Sequence, residues 1–166
     1  MKILYLIRHA KSSWSDFNLK DFDRPLNERG KKNAPEMAER LKKKKAKIDL
    51  FISSPARRAK KTSKIFAKTF GYDVDDILYR ENIYEGMAEN YFNVLTHLSD
   101  KADNVAIVGH NPGITEFANQ LCEQVRIDNI PTCGVFAVEA NCDRWENFRD
   151  AKKKFLFFDY PKMGQD

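Results

Sequence analysis

Four apolar runs stop at polar or basic residues, and helical periodicity precedes or follows most of them; this alternation constrains the chain more than any other feature. The first, Lys2 to Arg8, is continuously apolar rather than alternating, as in a strand buried on both faces of a parallel sheet. Asn27 can cap the next element, and Ala34, Met37, Ala38 and Leu41 recur at helical spacing over Glu28 to Lys45. Asp49 to Ser53 is a second short strand. Ser54 and Pro55 then fit a helix start, Ser as cap and Pro as first residue, with Ala59, Thr62, Phe66 and Phe70 along one face until Gly71. A weaker strand is expected at Ile77 to Arg80, and a helix over Glu89 to Leu98 with Tyr91, Phe92, Leu95 and Leu98 inward. Asn104 to Val108 is the fourth run, with a helix from Ile114 to Cys122. Gly134 to Glu139 and Lys154 to Asp159 have no helix between them and should pair as antiparallel neighbours. The pattern predicts a three-layer α/β/α fold with a largely parallel central sheet and one antiparallel side strand, in a single domain over residues 1–166.

The chain has 166 residues, enough for one well-buried core and too few for a second full domain. No apolar run is long enough for a signal h-region or a membrane span, so no membrane partner is expected. Three cysteines, Cys122, Cys133 and Cys142, do not make a disulfide scaffold; a reducing, cytoplasmic setting is expected, with the cysteines as small packing residues. Net charge is +5, but Arg40 to Lys64 alone holds eleven basic side chains and one acid, leaving the rest of the chain net acidic. An anionic partner should therefore approach one side. The run Lys42 to Lys47 suits the end of a helix and a solvated face, and no aromatics interleave with it, so nucleic acid is not expected.

Ligands in folds of this kind bind beyond the carboxyl ends of the strands. Here those ends carry Arg8-His9, then Ser53-Ser54-Pro55-Ala56-Arg57-Arg58, then Gly109-His110. Two imidazoles and at least two guanidiniums would converge on one crevice, a site for a dianion such as phosphate. Flanking guanidiniums should keep a ring nitrogen of His9 unprotonated, while its other N–H needs a backbone acceptor to fix the tautomer. In-line transfer then asks mainly for positioning and positive charge, available from Arg8, one of Arg57 or Arg58, and His110. With three histidines and no cluster at metal-ligand spacing, neither metal nor other cofactor is expected.

Rival chemistries are poorly supported. Six residues past the cysteines stand Asp128, Glu139 and Phe148, not the arginine a cysteine phosphatase needs. Asp21 and Asp23 follow a polar loop rather than a buried strand, unlike a nucleophilic aspartate, and no P-loop pattern occurs. His97 is expected to be structural. Ser53 and Ser54 read as capping residues, Trp14 as a loop anchor and Trp145 as a turn cover.

The blocks LYLIRHAKSSW, DFDRPLNERG, SSPARRAKKTS and VGHNPGI, in that order and spacing, resemble the histidine phosphatase superfamily, and more closely its small SixA-like phosphohistidine phosphatases. The late segment FLFFDYPK also resembles that branch. The resemblance implies a phosphoglycerate mutase-like fold, with His9 as the phosphorylated residue, Arg8 and Arg58 as phosphate clamps, His110 as the second histidine, and Arg57 at the surface. It implies two steps: phosphoryl transfer to His9, then hydrolysis by water. Ala10 stands where the family's motif has glycine, and a residue with positive φ there would be strained. The larger relatives use a glutamate as proton donor; Glu85 and Glu81 are the candidates here. Without such an acid, an imidazole leaving group is easier than an alkoxide, which favours phosphohistidine over phosphate esters. The implied partner is a phosphorylated histidine-containing phosphotransfer domain, with a small phosphoester, on a phosphatase or mutase, as the alternative. A phosphate-recognising module without turnover is the alternative of another class. With short strand-to-helix connections, only Lys11 to Pro25 could act as a lid over an otherwise open crevice.

Overall fold

In the computed structural model, which describes residues 1–163, the sheet has six strands: β1 (Lys2–Arg8), β2 (Leu50–Ser53), β3 (Leu78–Tyr79), β4 (Asn104–Gly109), β5 (Val135–Ala140) and β6 (Lys153–Asp159). Their spatial order is β3-β2-β4-β1-β5-β6. The first four strands of that order run parallel, β5 runs against β1, and β6 against β5. The reversed strand is thus β5, one place in from the edge, and β6 covers it.

Successive side chains of a strand point to opposite faces, and β1 shows what that builds. Leu4 and Leu6 join one buried cluster with Val105, Ile107 and Phe117; Tyr5 and Ile7 join another with Ala106, Val108 and Phe66. Helices α1 (Glu28–Lys43) and α2 (Arg57–Thr69) cover the second cluster, α3 (Ala88–Thr96) and α4 (Gly113–Leu121) the first. The helix stripes match expectation: α1 buries Ala34, Met37, Ala38 and Leu41. Asn27 caps α1 by accepting the Gly30 N–H at 2.8 Å, and Gly71, with φ of 69°, ends the α2 segment.

The start of α2 differs from expectation. Its first residue is Arg57, its N-cap Ala56 offers no side-chain bond, and Ser54 lies two residues further out. The Ser54 hydroxyl still accepts the Ala56 N–H at 3.2 Å, but it also reaches a histidine. Trp145 is no turn cover: it is fully buried, with Nε1 donating to Ala102 O at 2.7 Å. Trp14 is largely exposed, with the Arg24 guanidinium stacked on its ring. His97 is exposed and caps the end of α3 through Asn93 O.

Candidate active site

The parallel register of β1 and β4 sets Arg8 beside Gly109, so His9 and His110 emerge side by side. The His9 N–H donates to Gly109 O at 3.1 Å, and the two imidazole centroids lie 5.1 Å apart. Gly109 is required by a close approach. A Cβ there would stand 2.1 Å from the Tyr91 hydroxyl, which accepts the His110 N–H at 3.2 Å.

Arg58 arrives from the first turn of α2, tied through Thr62 to the segment that follows β1. The Thr62 hydroxyl donates to Arg58 O at 2.8 Å and accepts the Ala10 N–H at 3.0 Å. Ala10 is fully buried and lies outside the left-handed region, so alanine carries no backbone strain where the family's motif has glycine. His9, Arg58 and His110 are all buried. Arg57 faces solvent, donating to Asp23 O at 3.3 Å.

His9 Nδ1 lies 2.7 Å from Ala10 O. Only a protonated Nδ1 can bond a carbonyl, so Nε2 keeps the lone pair. Burial pushes the His9 pKa down to about 3, helped by the fields of His110, Arg58 and Arg8 and opposed by the Ala10 bond. Burial and Arg58 likewise push His110 down to about 3, against the field of Asp21. Guanidinium charge was the expected cause at His9; burial is the larger one.

His110 Nε2 lies 2.7 Å from the Ser54 hydroxyl. That oxygen also accepts from the Ala56 N–H, and because a hydroxyl can accept a second bond as well as donate one, the contact ties the ring to Ser54 in either tautomer. Arg8 Nε and Arg58 Nε are buried donors, and His110 Nδ1 a buried ring nitrogen, with no partner among the described residues. Buried N–H groups are rarely left so without a ligand to take them. Arg8 and Arg58 lie close enough that each His pKa responds to both, and Arg8 is itself lowered first by burial, then by Arg58. Two guanidiniums near two neutral rings suit an oxyanion with a nucleophile facing it.

Two site residues escaped the sequence reading. Asp21, dismissed there as a nucleophile, binds Arg58 instead: its carbonyl and carboxylate accept from the guanidinium at 2.7 and 3.0 Å. It also accepts from Arg24 at 3.0 Å and from the Tyr84 hydroxyl at 2.7 Å. Partial burial opposes ionisation of Asp21, but the bonds from Tyr84 and Arg58 prevail and hold it at about 2. Tyr84 stands with its ring 5.6 Å from His110, its pKa pushed up to about 12 by burial and by Asp21. The second is Asn111, whose side chain donates to Ile130 O at 3.1 Å, the carbonyl that accepts Arg8 at 3.0 Å. Spacing flags neither residue, because both act through contacts between distant loops. Glu81 and Glu85 are exposed and hydrogen-bond to neither imidazole.

Residues 4–101 match the profile of the Histidine phosphatase superfamily (branch 1), and the chain belongs to that family. Solved structures similar to it include SixA-like proteins, and the chain is a phosphatase. A candidate phosphohistidine phosphatase SixA from Agrobacterium tumefaciens superposes with a TM-score of 0.81 at 26% identity, covering 96% of this chain and 98% of that one. The protein histidine phosphatase SixA complexed with tungstate superposes equally well, at 0.81 with 19% identity over 96% and 97%, a likeness of fold alone. An uncharacterized chloroplastic protein of Arabidopsis thaliana is 30% identical over 151 residues, 86% of this chain and 68% of that protein.

Proposed function

We propose that the protein is a metal-independent phosphatase working through a phosphohistidine at His9, and that its substrate is phosphohistidine on a cytoplasmic signalling protein. The observation that carries this is the Nδ1-protonated His9, its Nε2 lone pair free in the field of Arg8 and Arg58, whose Nε–H groups have no partner among the described residues. In the first step the Nε2 lone pair attacks phosphorus, the bond from phosphorus to the leaving group breaks, and its electrons go to that group. Arg8, Arg58 and His110 offset the charge growing on the equatorial oxygens. Water then attacks the phosphorus, the bond to Nε2 breaks, and neutral His9 returns with inorganic phosphate.

The choice of phosphohistidine rests on proton supply. Asp21 is ionised at neutral pH, and neither Glu81 nor Glu85 bonds to the rings. A leaving alkoxide would need an acid at that place, whereas an imidazole can leave already protonated. Three free thiols, on Cys122, Cys133 and Cys142, support the reducing location. The test is a denaturing gel after incubation with labelled phosphodonor: acid-labile label is expected on the wild type and absent from His9→Ala. Label retained by His9→Ala, or none on the wild type at any pH, would remove the reading.

A further inference from the structure

Beside the mouth of the crevice a second, differently built surface opens between α1 and α2. It is a groove of about 340 Å³ lined by Lys31, Arg57, Lys61 and Lys64 and floored by Pro25 and Leu26. Arg57, Lys61 and Lys64 follow one another at helical spacing down a single face of α2, and Lys31 faces them from α1. Among the described residues, four cations line the groove and no carboxylate does.

Gathering like charges is unfavourable unless a partner offsets them. Among the described residues Arg57 bonds only a backbone carbonyl, that of Asp23. Lys31 pairs with Glu28 at 3.4 Å between exposed side chains, a weak contact. Lys61 and Lys64 make no ion pair among the described residues.

The groove also adjoins the chemistry. Arg57 precedes Arg58 directly, and Leu26 pairs with Ser12, three residues beyond His9. We infer that this groove docks an acidic segment of the phosphoprotein whose phosphohistidine enters the crevice, a step resting on the function proposed above. Negative charge fits the four cations, and Pro25 and Leu26 take the apolar stems between acidic heads. A nucleic acid fits less well, since no aromatic ring lines the groove to stack a base.

Fluorescence anisotropy of a labelled, unphosphorylated Glu-rich peptide reads the groove without catalysis. The intact protein should bind it about tenfold more tightly than the matching Gln-rich peptide, and Lys61→Glu with Lys64→Glu should erase that difference. The same variant should hydrolyse free phosphohistidine like the wild type, and Lys61→Gln with Lys64→Gln should lose binding to a smaller degree. Equal binding of the two peptides, an unchanged affinity in the charge-reversal variant, or displacement of the peptide by single-stranded DNA of higher affinity would each overturn the proposal. Wild type that binds the acidic peptide but never hydrolyses free phosphohistidine would instead sink the phosphatase reading, leaving the groove established.

Discussion

Replacing Arg58 by alanine should leave the fold intact and slow phosphoryl transfer more than tenfold, since one clamp on developing charge is worth about 3 kcal/mol. Arg57→Ala should change the rate with a small phosphodonor far less, because its guanidinium faces solvent and bonds Asp23 O rather than reaching either imidazole. Equal losses in single-turnover assays would refute the assignment. The histidine pair makes a second prediction at this scale. Both rings sit at about 3 when folded, against an ordinary value near 6.5. Between those values the unfolded chain binds protons that the folded one refuses, so stability rises with pH and is lost as pH falls from 6.5 toward 3. Thermal melts from pH 7 down to 4.5 should therefore show a falling Tm, and His9→Gln with His110→Gln should flatten that fall. The lower limit keeps Asp21 out of the measurement, because its carboxyl titrates below it both folded and unfolded. An identical slope in the double variant would contradict the buried, neutral state of the two rings.

At the scale of elements, the site depends on how closely α3 packs against the end of β4. Gly109→Ala would drive a Cβ to 2.1 Å from the Tyr91 hydroxyl and 3.0 Å from its ring carbon. It should destabilise the protein by about 1–3 kcal/mol, the usual range for overpacking. Adding Tyr91→Phe removes the nearer clash but also the acceptor for the His110 N–H, so denaturant melts should show partial rescue. Strict additivity of the two substitutions would mean that the contact is not what requires glycine. The segment Lys11 to Pro25, expected as a lid, is anchored at both ends: Ser13 N donates to Pro25 O at 2.8 Å and Ser12 pairs with Leu26. Its single 3₁₀ turn over Asp21–Asp23 brings Asp21 to Arg58, and Phe22 packs edge-on against Tyr84 at 5.1 Å. The loop is thereby part of the wall around Arg58.

Across the whole molecule, the basic block read from the sequence divides into two surfaces. Helix α1 begins near the crevice, where the Asn27 N–H donates to Lys11 O, and its sixteen residues span about 24 Å toward the amino ends of the strands. Lys42 to Lys47 therefore stands at the far end of the molecule, while Arg57 and Arg58 stand at the mouth. Screening at physiological salt acts over about 8 Å, so the far lysines should not guide a substrate. Lys43→Glu with Lys44→Glu should leave kcat/KM for an acidic phosphohistidine peptide within about twofold at that ionic strength. Raising salt should lower kcat/KM for such a peptide more than for free phosphohistidine. A large loss in the far-end variant would mean that charge acts on capture as an undivided field.

The sequence by itself determined the layers, the order of strands and helices and the identity of the residues at the strand ends, because burial imposes periods readable over a few residues. Arg8, His9 and His110 were legible for the same reason, since a charged or titratable group ending an apolar run marks where the chain leaves the sheet, whereas the strand ends left Arg57 and Arg58 open and the family resemblance chose Arg58. What only the tertiary structure decided is which groups meet across loops. Asp21 on Arg58, Asn111 on the carbonyl that holds Arg8, Ser54 on His110 in place of a helix cap, and the separation of the two lysine surfaces all join residues far apart in the chain. Hydrogen bonds and charge interactions depend on distance in space, and no local period encodes that distance.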